Sequence, residues 1–237
     1  AGIPVYTSLN HIVDGPRQSL PVGAPSGSCP VPNFGPPINY PVDEFPTGIT
    51  SSDFDGDGNL DLATSNNTQG TVSVLLGNGT GGFGPATNFP AGDSSGDIVS
   101  ADFNHDDNPD LAVARAGAFP DNVSVLFGNG SGGFGAPLLL VAGTTPDTIR
   151  VADFNEDTHL DLVTTNVNSA NVSIFLGDGI GGFGAALNFS AGERPSGLEV
   201  GDFNEDANLD VAVGNAVVSG TVSILLGNGT GGFGSPT

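Results

Sequence analysis

The sequence predicts an all-β protein built from four tandem repeats, each a small antiparallel sheet. A nine-residue acidic loop recurs at intervals of about 50 residues, and such a period indicates one supersecondary unit stacked against copies of itself. The four loops span residues 53–61, 102–110, 153–161 and 202–210. The composition agrees, because 38 Gly and 18 Pro suit many short strands joined by tight turns, and no long segment has the apolar period of a helix.

Each repeat contains four strand-like segments, as the second repeat illustrates. Residues 97–102 lead into the acidic loop, residues 110–114 follow it, and residues 122–127 and 136–141 complete the unit. All four segments are short and rich in β-branched or apolar residues, with turn residues at both ends. Four strands in each unit of about 50 residues predict the blade of a β-propeller-like array.

The third strand of each repeat is apolar with little alternation, which predicts that neighbouring blades cover both of its faces. These strands are residues 72–76, 123–127, 172–176 and 222–226. A Gly-rich turn containing one Phe follows each of them. We expect these rings to fill the seam between blades; they are Phe83, Phe134, Phe183 and Phe233.

The repeat is offset against the ends of the sequence. The sequence stops at residues 231–237, where the other units continue into their fourth strand, and residues 33–42 match the missing piece. We expect this N-terminal strand to complete the last blade, because an unpaired strand edge invites association. Pairing in cis would close a ring of four blades, pairing in trans would link molecules head to tail, and a third alternative is that the residues belong to a larger ring.

Residues 1–32 lack the repeat, so we divide the chain into an N-terminal arm, 1–32, and a repeat domain, 33–237. The arm is either a disordered linker or a segment that docks on a neighbouring molecule. Cys29 is the only cysteine, which excludes an internal disulfide and Cys-rich zinc sites. It is either a buried or free thiol or half of an intermolecular bridge.

The charge of the chain favours cations as partners. Lys is absent, four Arg stand against 26 acidic residues, and the formal net charge is −22. Such a surface repels nucleic acid and anionic lipid, so we expect neither as a partner. The apolar run at residues 137–142 is too short to insert into a membrane.

The start of the sequence and its sequons suit a secreted protein. The sequence begins without an initiator Met, as a mature secreted chain would, so we expect an extracellular or cell-surface location. Asn-x-Ser/Thr sequons, candidate glycosylation sites in a secreted chain, occur at Asn66, Asn78, Asn122, Asn129, Asn171, Asn188 and Asn228. Most of them recur only because the repeat recurs.

The acidic loops have the donor pattern of calcium sites. Positions 1, 3, 5 and 9 carry oxygen donors at alternate residues, and a backbone carbonyl at position 7 can add another. The predicted ligands are Asp53, Asp55, Asp57, Asn59 and Asp61; Asp102, Asn104, Asp106, Asn108 and Asp110; Asp153, Asn155, Asp157, His159 and Asp161; and Asp202, Asn204, Asp206, Asn208 and Asp210. Oxygen donors without Cys or imidazole ligands select calcium over transition metals, so we expect about four Ca²⁺ ions.

Two simpler interpretations of the loops are less satisfactory. An acidic surface turn held by Asx hydrogen bonds would explain one loop but not four in register. An EF-hand would need Glu at position 12, where the first loop has Thr64, and a helix after the loop. Only the first loop has Gly at position 6, Gly58, so the later loops are strained if that position requires positive φ.

The motif resembles a known family. The segment Asp-Phe-Asp-Gly-Asp-Gly-Asn-Leu-Asp-Leu at residues 53–62, followed by Gly-Gly-Phe-Gly at residues 81–84, is similar to the FG-GAP/VCBS repeat and to the calcium-bearing blades of integrin α-subunits. The resemblance covers residues 33–237 and implies a β-propeller with calcium in its hairpin loops. It also implies an extracellular role in adhesion, recognition or surface assembly.

The sequence predicts no enzyme. It has no Ser/His/Asp spacing, no Cys/His pair and no zinc pattern, and the repeated aspartates are better explained as ligands than as acid and base. We expect a structural, assembly or adhesion role, with self-association as the leading partner hypothesis. The alternative is a lectin-like propeller that binds a glycan or a protein through its loops.

Overall fold

The computed structural model describes residues 35–117 and 122–236, and the regular structure in these residues is β-strand throughout. The strands in chain order are β1 (Pro46–Ser52), β2 (Asp61–Asn66), β3 (Thr71–Leu75), β4 (Thr87–Pro90), β5 (Ser95–Ala101), β6 (Asp110–Arg115), β7 (Asn122–Leu126), β8 (Leu138–Val141), β9 (Pro146–Ala152), β10 (Asp161–Asn166), β11 (Asn171–Phe175), β12 (Leu187–Ser190), β13 (Pro195–Gly201), β14 (Asp210–Asn215) and β15 (Thr221–Leu225). The described residues contain no helix that could cross a membrane. The all-β prediction is confirmed for this part of the chain.

The strands form four antiparallel sheets, one for each repeat. Three sheets have the order β1-β2-β3-β4, β5-β6-β7-β8 and β9-β10-β11-β12, and the last, β13-β14-β15, has three strands in the described residues. Each second strand begins at the final aspartate of the acidic loop, since Ser52 pairs with Asp61 and Gly201 pairs with Asp210. This register places the end of each loop inside a sheet, while the rest of the loop lies at the sheet's end.

The core lies between consecutive sheets. Buried apolar residues form three clusters, and each cluster combines one sheet with the next. Val72 of β3 and Ile98 of β5, for example, belong to the same cluster. β3, β7 and β11 are buried along nearly their whole length. The predicted cover by a neighbouring sheet on both sides is confirmed for β7 and β11, whereas β3 lies in the first sheet and only the second sheet packs against it among the described residues.

Aromatic rings from the Gly-rich turns seal the junctions between sheets. The T-shaped pairs across the junctions are Phe54–Phe134, Phe89–Phe134, Phe103–Phe183, Phe154–Phe233 and Phe189–Phe233, with ring centroids between 5.3 and 5.7 Å apart. Phe83 of the first repeat instead contacts Tyr40, at 5.5 Å. The predicted seam role is thus confirmed for the last three of the four rings, and Tyr40 supplies the partner for the first.

The first strands of the sheets line up side by side. They pack in the order β1, β5, β9 and β13, and Arg150 of β9 links three of them. Its Nη1 donates to Asp97 Oδ2 at 2.8 Å, and its Nε lies 3.9 Å from Glu199 Oε2. Among the described strands no comparable packing joins β13 to β1. The described array is therefore open, and closure of a four-blade ring within one chain is not observed.

The N-terminal strand is the part of the fold prediction that differs from the structure. Residues 35–45 contain no strand, so the prediction for 33–42 is wrong over its described part, and β14 is the only strand partner of β15 in the described residues. Exchange of a strand between chains stays a prediction. The chain divides into two units, Ala1–Asn39 and Tyr40–Thr237, and the sheets belong to the second. The predicted arm, residues 1–32 with Cys29, lies outside the described residues.

Candidate metal centres

The four acidic loops have one hydrogen-bond pattern, organised around the aspartate at position 1. In the first loop Asp53 Oδ2 accepts from the Gly58 N–H at 2.8 Å, and Asp53 Oδ1 accepts from the Asp57 N–H at 3.2 Å. Asp102, Asp153 and Asp202 accept the equivalent bonds in the other loops, at 2.8 to 3.2 Å. Four backbones folded alike around one carboxylate show that the repeat sets the loop geometry.

Positions 3 and 5 continue the same pattern toward the end of the loop. Asp55 Oδ1 accepts from the Asp57 N–H at 3.2 Å, and Asn104 Oδ1 accepts the equivalent bond from Asp106 at 3.1 Å. The amide oxygen of an Asn at position 3 therefore takes the place of the carboxylate oxygen of Asp55. Position 5 accepts in turn from the N–H of position 7, at 2.7 Å between Asn59 and Asp57. Asn at position 3 keeps the oxygen donor and removes one negative charge.

The aspartate at position 9 is fully buried in all four loops: Asp61, Asp110, Asp161 and Asp210. Both oxygens of Asp61 accept backbone hydrogen bonds, Oδ2 from the Phe54 N–H at 2.8 Å and Oδ1 from the Gly77 N–H at 2.7 Å. The other three make the same two bonds at 2.8 to 2.9 Å. This carboxylate thus fixes the acidic loop to the Gly-rich turn of its own repeat.

Burial makes the charge at position 9 costly. It raises the pKa of Asp61 above the ordinary value and the pKa of Asp110 and Asp161 to about 6. The two backbone N–H groups oppose this rise, and the aspartates at other loop positions add to it. A nearby cation would offset both the cost of burying the carboxylate charge and its repulsion by the other aspartates.

The carboxylates converge in the first loop. One carboxylate oxygen from each of Asp53, Asp55 and Asp61 lies within 4.8 Å of the others. At about 4 Å and an effective dielectric constant near 20, two such charges repel by about 4 kcal/mol. Oxygen donors gathered at this distance fit a hard divalent cation, and calcium takes six to eight such ligands from carboxylates, amides, carbonyls and water.

The side chain at position 7 packs against the Gly-rich turn of its own repeat. Asn59 Nδ2 donates to Asp57 Oδ2 at 2.8 Å, and a Cβ added to Gly79 would lie 2.2 Å from Asn59 Oδ1. The His159 ring packs against Gly179 in the same way and lies 5.4 Å from the His105 ring of the preceding repeat. The first Gly-rich turn therefore needs Gly at position 79 for two reasons. A side chain there would clash with Asn59, and the backbone has a positive φ of 69°. The predicted carbonyl ligand at position 7 stays a prediction.

Positions 4 and 6 both have positive φ in all four loops. The values at position 6 are 86° for Gly58, 66° for Asp107, 73° for Thr158 and 74° for Ala207. The positive φ considered for position 6 from the sequence is thus confirmed, and position 4, for which no such requirement was expected, shares it. The β-branched Thr158 is the least suited of these residues, because its side chain crowds the backbone in the left-handed region.

Thr158→Gly is expected to stabilise the third loop. Removing the side chain relieves about 1–2 kcal/mol of left-handed strain, and the greater freedom of Gly in the unfolded chain offsets about half of it. Urea unfolding in calcium should show a gain of about 0.5–1 kcal/mol. The matched Gly58→Thr variant should lose about 0.5–1 kcal/mol by the same reasoning in reverse, and equal midpoints for both variants would contradict the argument.

Asp161→Ala is expected to cost about 3 kcal/mol in calcium. The variant loses an ion ligand and leaves the N–H groups of Phe154 and Gly177 without their acceptor, at about 1 kcal/mol each beyond the ion. Asp157→Ala, at an exposed position of the same loop, should lose only the stabilisation that the bound ion provides, about 1.4 kcal/mol at ten times Kd. Chemical denaturation of both variants measures the difference, and equal losses would contradict the anchoring role of Asp161.

Comparison with known proteins identifies the repeat. The FG-GAP-like repeat matches residues 53–113 and 153–213, which contain the acidic loop and central strands of the first and third repeats together with the start of the second and fourth. The chain belongs to the FG-GAP-like repeat family. These FG-GAP repeats are the loops and sheets described above, and the resemblance noted in the sequence is confirmed. No curated protein sequence matches the chain.

Solved structures share the fold at low identity. BBS1N in complex with ARL6DN is 17% identical, with 81% of this chain and 56% of that chain covered and a TM-score of 0.56. An Agrocybe aegerita lectin that recognises non-reducing terminal N-acetylglucosamine is 22% identical, with 81% and 52% covered and a TM-score of 0.55. A functionally unknown protein from Desulfotomaculum acetoxidans is 12% identical, with 83% and 56% covered and a TM-score of 0.59.

These similarities concern the fold alone. The FG-GAP repeat chain spans little more than half the length of each of these proteins. The shared feature is a β-propeller-like array of antiparallel sheets, which the described sheets match.

Proposed function

We propose that this FG-GAP repeat protein is a non-enzymatic, extracellular calcium-binding protein with a structural, assembly or adhesion role. The observation that carries the proposal is the convergence of Asp53, Asp55 and Asp61 on one point, in a backbone arrangement that the other three loops repeat. Positions 1, 3, 5 and 9 of each loop would hold the ion, with the carbonyl of position 7. Calcium would supply charge neutralisation there, and about four ions would reduce the charge from −22 to about −14.

Native mass spectrometry tests the calcium proposal. The protein is treated with chelator, exchanged into volatile buffer and titrated with Ca²⁺, and we expect about four ions to bind. A variant with Asp53→Asn and Asp55→Asn should bind one fewer, because the first loop then loses two carboxylates. Magnesium should bind more weakly, since it prefers a smaller octahedral shell. Binding of no ion at millimolar calcium would contradict the proposal.

The assembly part of the proposal concerns the outer edge of β15. The outer edge of β15 has no strand partner in the described residues, and an open edge of this kind accepts a strand from another molecule. Residues 33–42 form no strand over their described part, 35–42, so they would have to become extended on a second chain to pair with this edge and link molecules head to tail.

The second candidate function is glycan or protein recognition. A polar cavity of about 370 Å³ opens where the first strands of three sheets begin, and its lining includes Thr47, Asn67, Asp97, Asp147 and Thr148. Hydroxyl, amide and carboxylate groups of this kind suit the hydroxyls of a sugar. The likeness to a lectin fold favours the same candidate. Specific binding on a glycan array, lost in Asp147→Ala, would support it.

A further inference from the structure

The junction between the second and third repeats brings together two residues that depart from the repeat pattern. His105 stands at position 4 of the second acidic loop, where the other loops have Gly56, Glu156 and Glu205. His159 stands at position 7 of the third loop, where the other loops have Asn. The centroids of the two rings lie 5.4 Å apart, and the ring planes are tilted by 54°. Two of the three histidines of the chain therefore meet across one junction.

One hydrogen bond fixes the tautomer of His105. Its Nδ1 lies 3.1 Å from the carbonyl oxygen of Gly179, and because a carbonyl only accepts, Nδ1 carries the proton. In the neutral ring the free lone pair is then on Nε2. Histidines that bind a metal ion commonly have this arrangement, in which one ring nitrogen binds the ion and the other donates to a backbone carbonyl or a carboxylate. The Gly179 carbonyl thus orients the His105 ring as it would orient a metal ligand.

The His159 ring is positioned by packing. It lies against Gly179, where an added Cβ would be 2.2 Å from His159 Nδ1, and this nitrogen is buried with no hydrogen-bond partner in the described residues. A buried polar atom without a partner calls for an explanation, and a ligand at the other ring nitrogen, Nε2, would give the ring a reason to lie here. Gly179 serves both rings, because its carbonyl orients His105 and its lack of a side chain leaves room for His159.

The separation of the two rings fits a single ion bound by both. With a metal–nitrogen distance of about 2.0–2.1 Å, the centroid of each imidazole lies about 3.2 Å from the ion. A tetrahedral angle at the ion then places the two centroids about 5.2 Å apart. The observed separation of 5.4 Å agrees with this value.

The charge around the two rings favours a cation. Asp178 begins the Gly-rich turn that contains Gly179, at a position where the other repeats have Asn78, Asn129 and Asn228. The pKa of Asp178 is lowered, chiefly by hydrogen bonds from the N–H groups at positions 180 and 182 and to a smaller extent by His159. Asp178 is therefore ionised near neutral pH and lies within electrostatic reach of the His159 ring. The net charge of −22 adds to the attraction of a divalent ion.

We propose that His105 and His159 bind a divalent transition-metal ion of the zinc class across the junction between the second and third repeats. Nε2 of each ring would coordinate the ion, and water would complete the shell. Imidazole nitrogen suits zinc, copper and nickel, whereas calcium and magnesium prefer oxygen. The site is thus separate in its chemistry from the acidic loops. The ion would link two repeats by bonds to one side chain from each.

Calorimetric titration with Zn²⁺ in saturating calcium tests the site, because calcium then occupies the acidic loops. His105→Asn and His159→Asn should each weaken zinc binding by about tenfold or more, since one imidazole is left. His159→Asn introduces the residue that position 7 has in the other three loops, so the loop should fold as they do. His11→Asn and Cys29→Ser are the controls, because they remove the remaining histidine and the only cysteine, and both should keep the site.

Electron paramagnetic resonance of Cu²⁺ bound to the protein identifies the ligands. Hyperfine splitting by nitrogen should indicate two imidazoles in the wild type and one in either single variant. A wild type that does not bind zinc in calcium, or zinc binding that is equal in the wild type and in the double variant His105→Asn and His159→Asn, would overturn the proposal. A copper spectrum without two nitrogen ligands would also overturn it, and the two rings would then form a packing contact only.

The zinc site and the calcium proposal are tested separately. Native mass spectrometry of the double variant in calcium should still count about four calcium ions, because neither imidazole is a calcium ligand. Loss of zinc binding with calcium binding intact is the result expected of this variant. Zinc binding that depends on the two histidines in a protein that binds no calcium would support the zinc site and contradict the calcium proposal alone.

Discussion

Removal of calcium is expected to lower the free energy of unfolding by about 6 kcal/mol. At about ten times Kd each ion stabilises the folded state by about 1.4 kcal/mol, and four loops act together. The physical reason is that each loop gathers carboxylates such as Asp53, Asp55 and Asp61 within 4.8 Å of one another. A typical domain has only about 5–15 kcal/mol of stability, so the loss would unfold a large fraction of the protein or leave it marginal.

Thermal unfolding in calcium and in excess EDTA measures this effect. The melting temperature should rise with the logarithm of the free calcium concentration once that concentration exceeds Kd, and the concentration at which the rise begins gives Kd. Magnesium at the same concentration serves as the control for ionic strength and divalent charge. An unchanged melting temperature after chelation, with native mass spectrometry showing ions removed, would contradict the stabilising role.

The sequence was sufficient for the parts of the fold that every repeat specifies by itself. Period, four-strand units and the acidic loop follow from local patterns, and three of the four sheets have the predicted strands. The seam rings could be predicted because a large ring beside a Gly-rich turn has few places to be buried. The positive φ at position 6 could be suspected from Gly58 alone.

Other features depend on contacts between segments that are far apart in the sequence and could not be predicted in this way. The burial of Asp110 follows from two hydrogen bonds to its carboxylate, one from the Phe103 N–H and one from the Gly128 N–H. Gly128 is 18 residues away along the chain, so the sequence alone does not show that the two groups meet. The only signal of this burial in the sequence was an aspartate directly before an apolar strand. The strand expected at residues 33–42 was inferred from similarity to Phe83–Pro90, but similarity of sequence does not supply the neighbouring strand needed for pairing. Tyr40, in the same segment, packs on Phe83 instead.

The burial of an apolar strand residue depends on the neighbouring repeat as well as on the local sequence. Val222 and Val172 occupy the same position in nearly identical strands, yet one is 65% exposed and the other is fully buried. Burial here is a property of the following repeat, so a local pattern predicts both residues as core.

Stability should depend on pH in opposite directions with and without calcium. Asp110 and Asp161 have a pKa of about 6 in the folded protein, against an ordinary value of 3.8. Between these two values the folded state binds protons that the unfolded chain does not. Without metal, the stabilisation of the folded state by these bound protons is therefore fully present below about pH 4. It is lost as the pH rises through about 6, and its size is on the order of 2–3 kcal/mol for each carboxyl.

Calcium reverses the sign, because the ion binds the ionised carboxylates. With saturating calcium the loops are stable near neutral pH, and acidification displaces the ions by protonating their ligands. Urea unfolding between about pH 4.5 and 7 should therefore give a midpoint that rises toward acid in EDTA and falls toward acid in calcium. The double variant Asp110→Asn and Asp161→Asn should have a flatter EDTA profile, whatever its absolute stability, because the titrating groups are gone. A midpoint in EDTA that falls toward acid as steeply as in calcium would mean that these buried carboxyls do not control the loops.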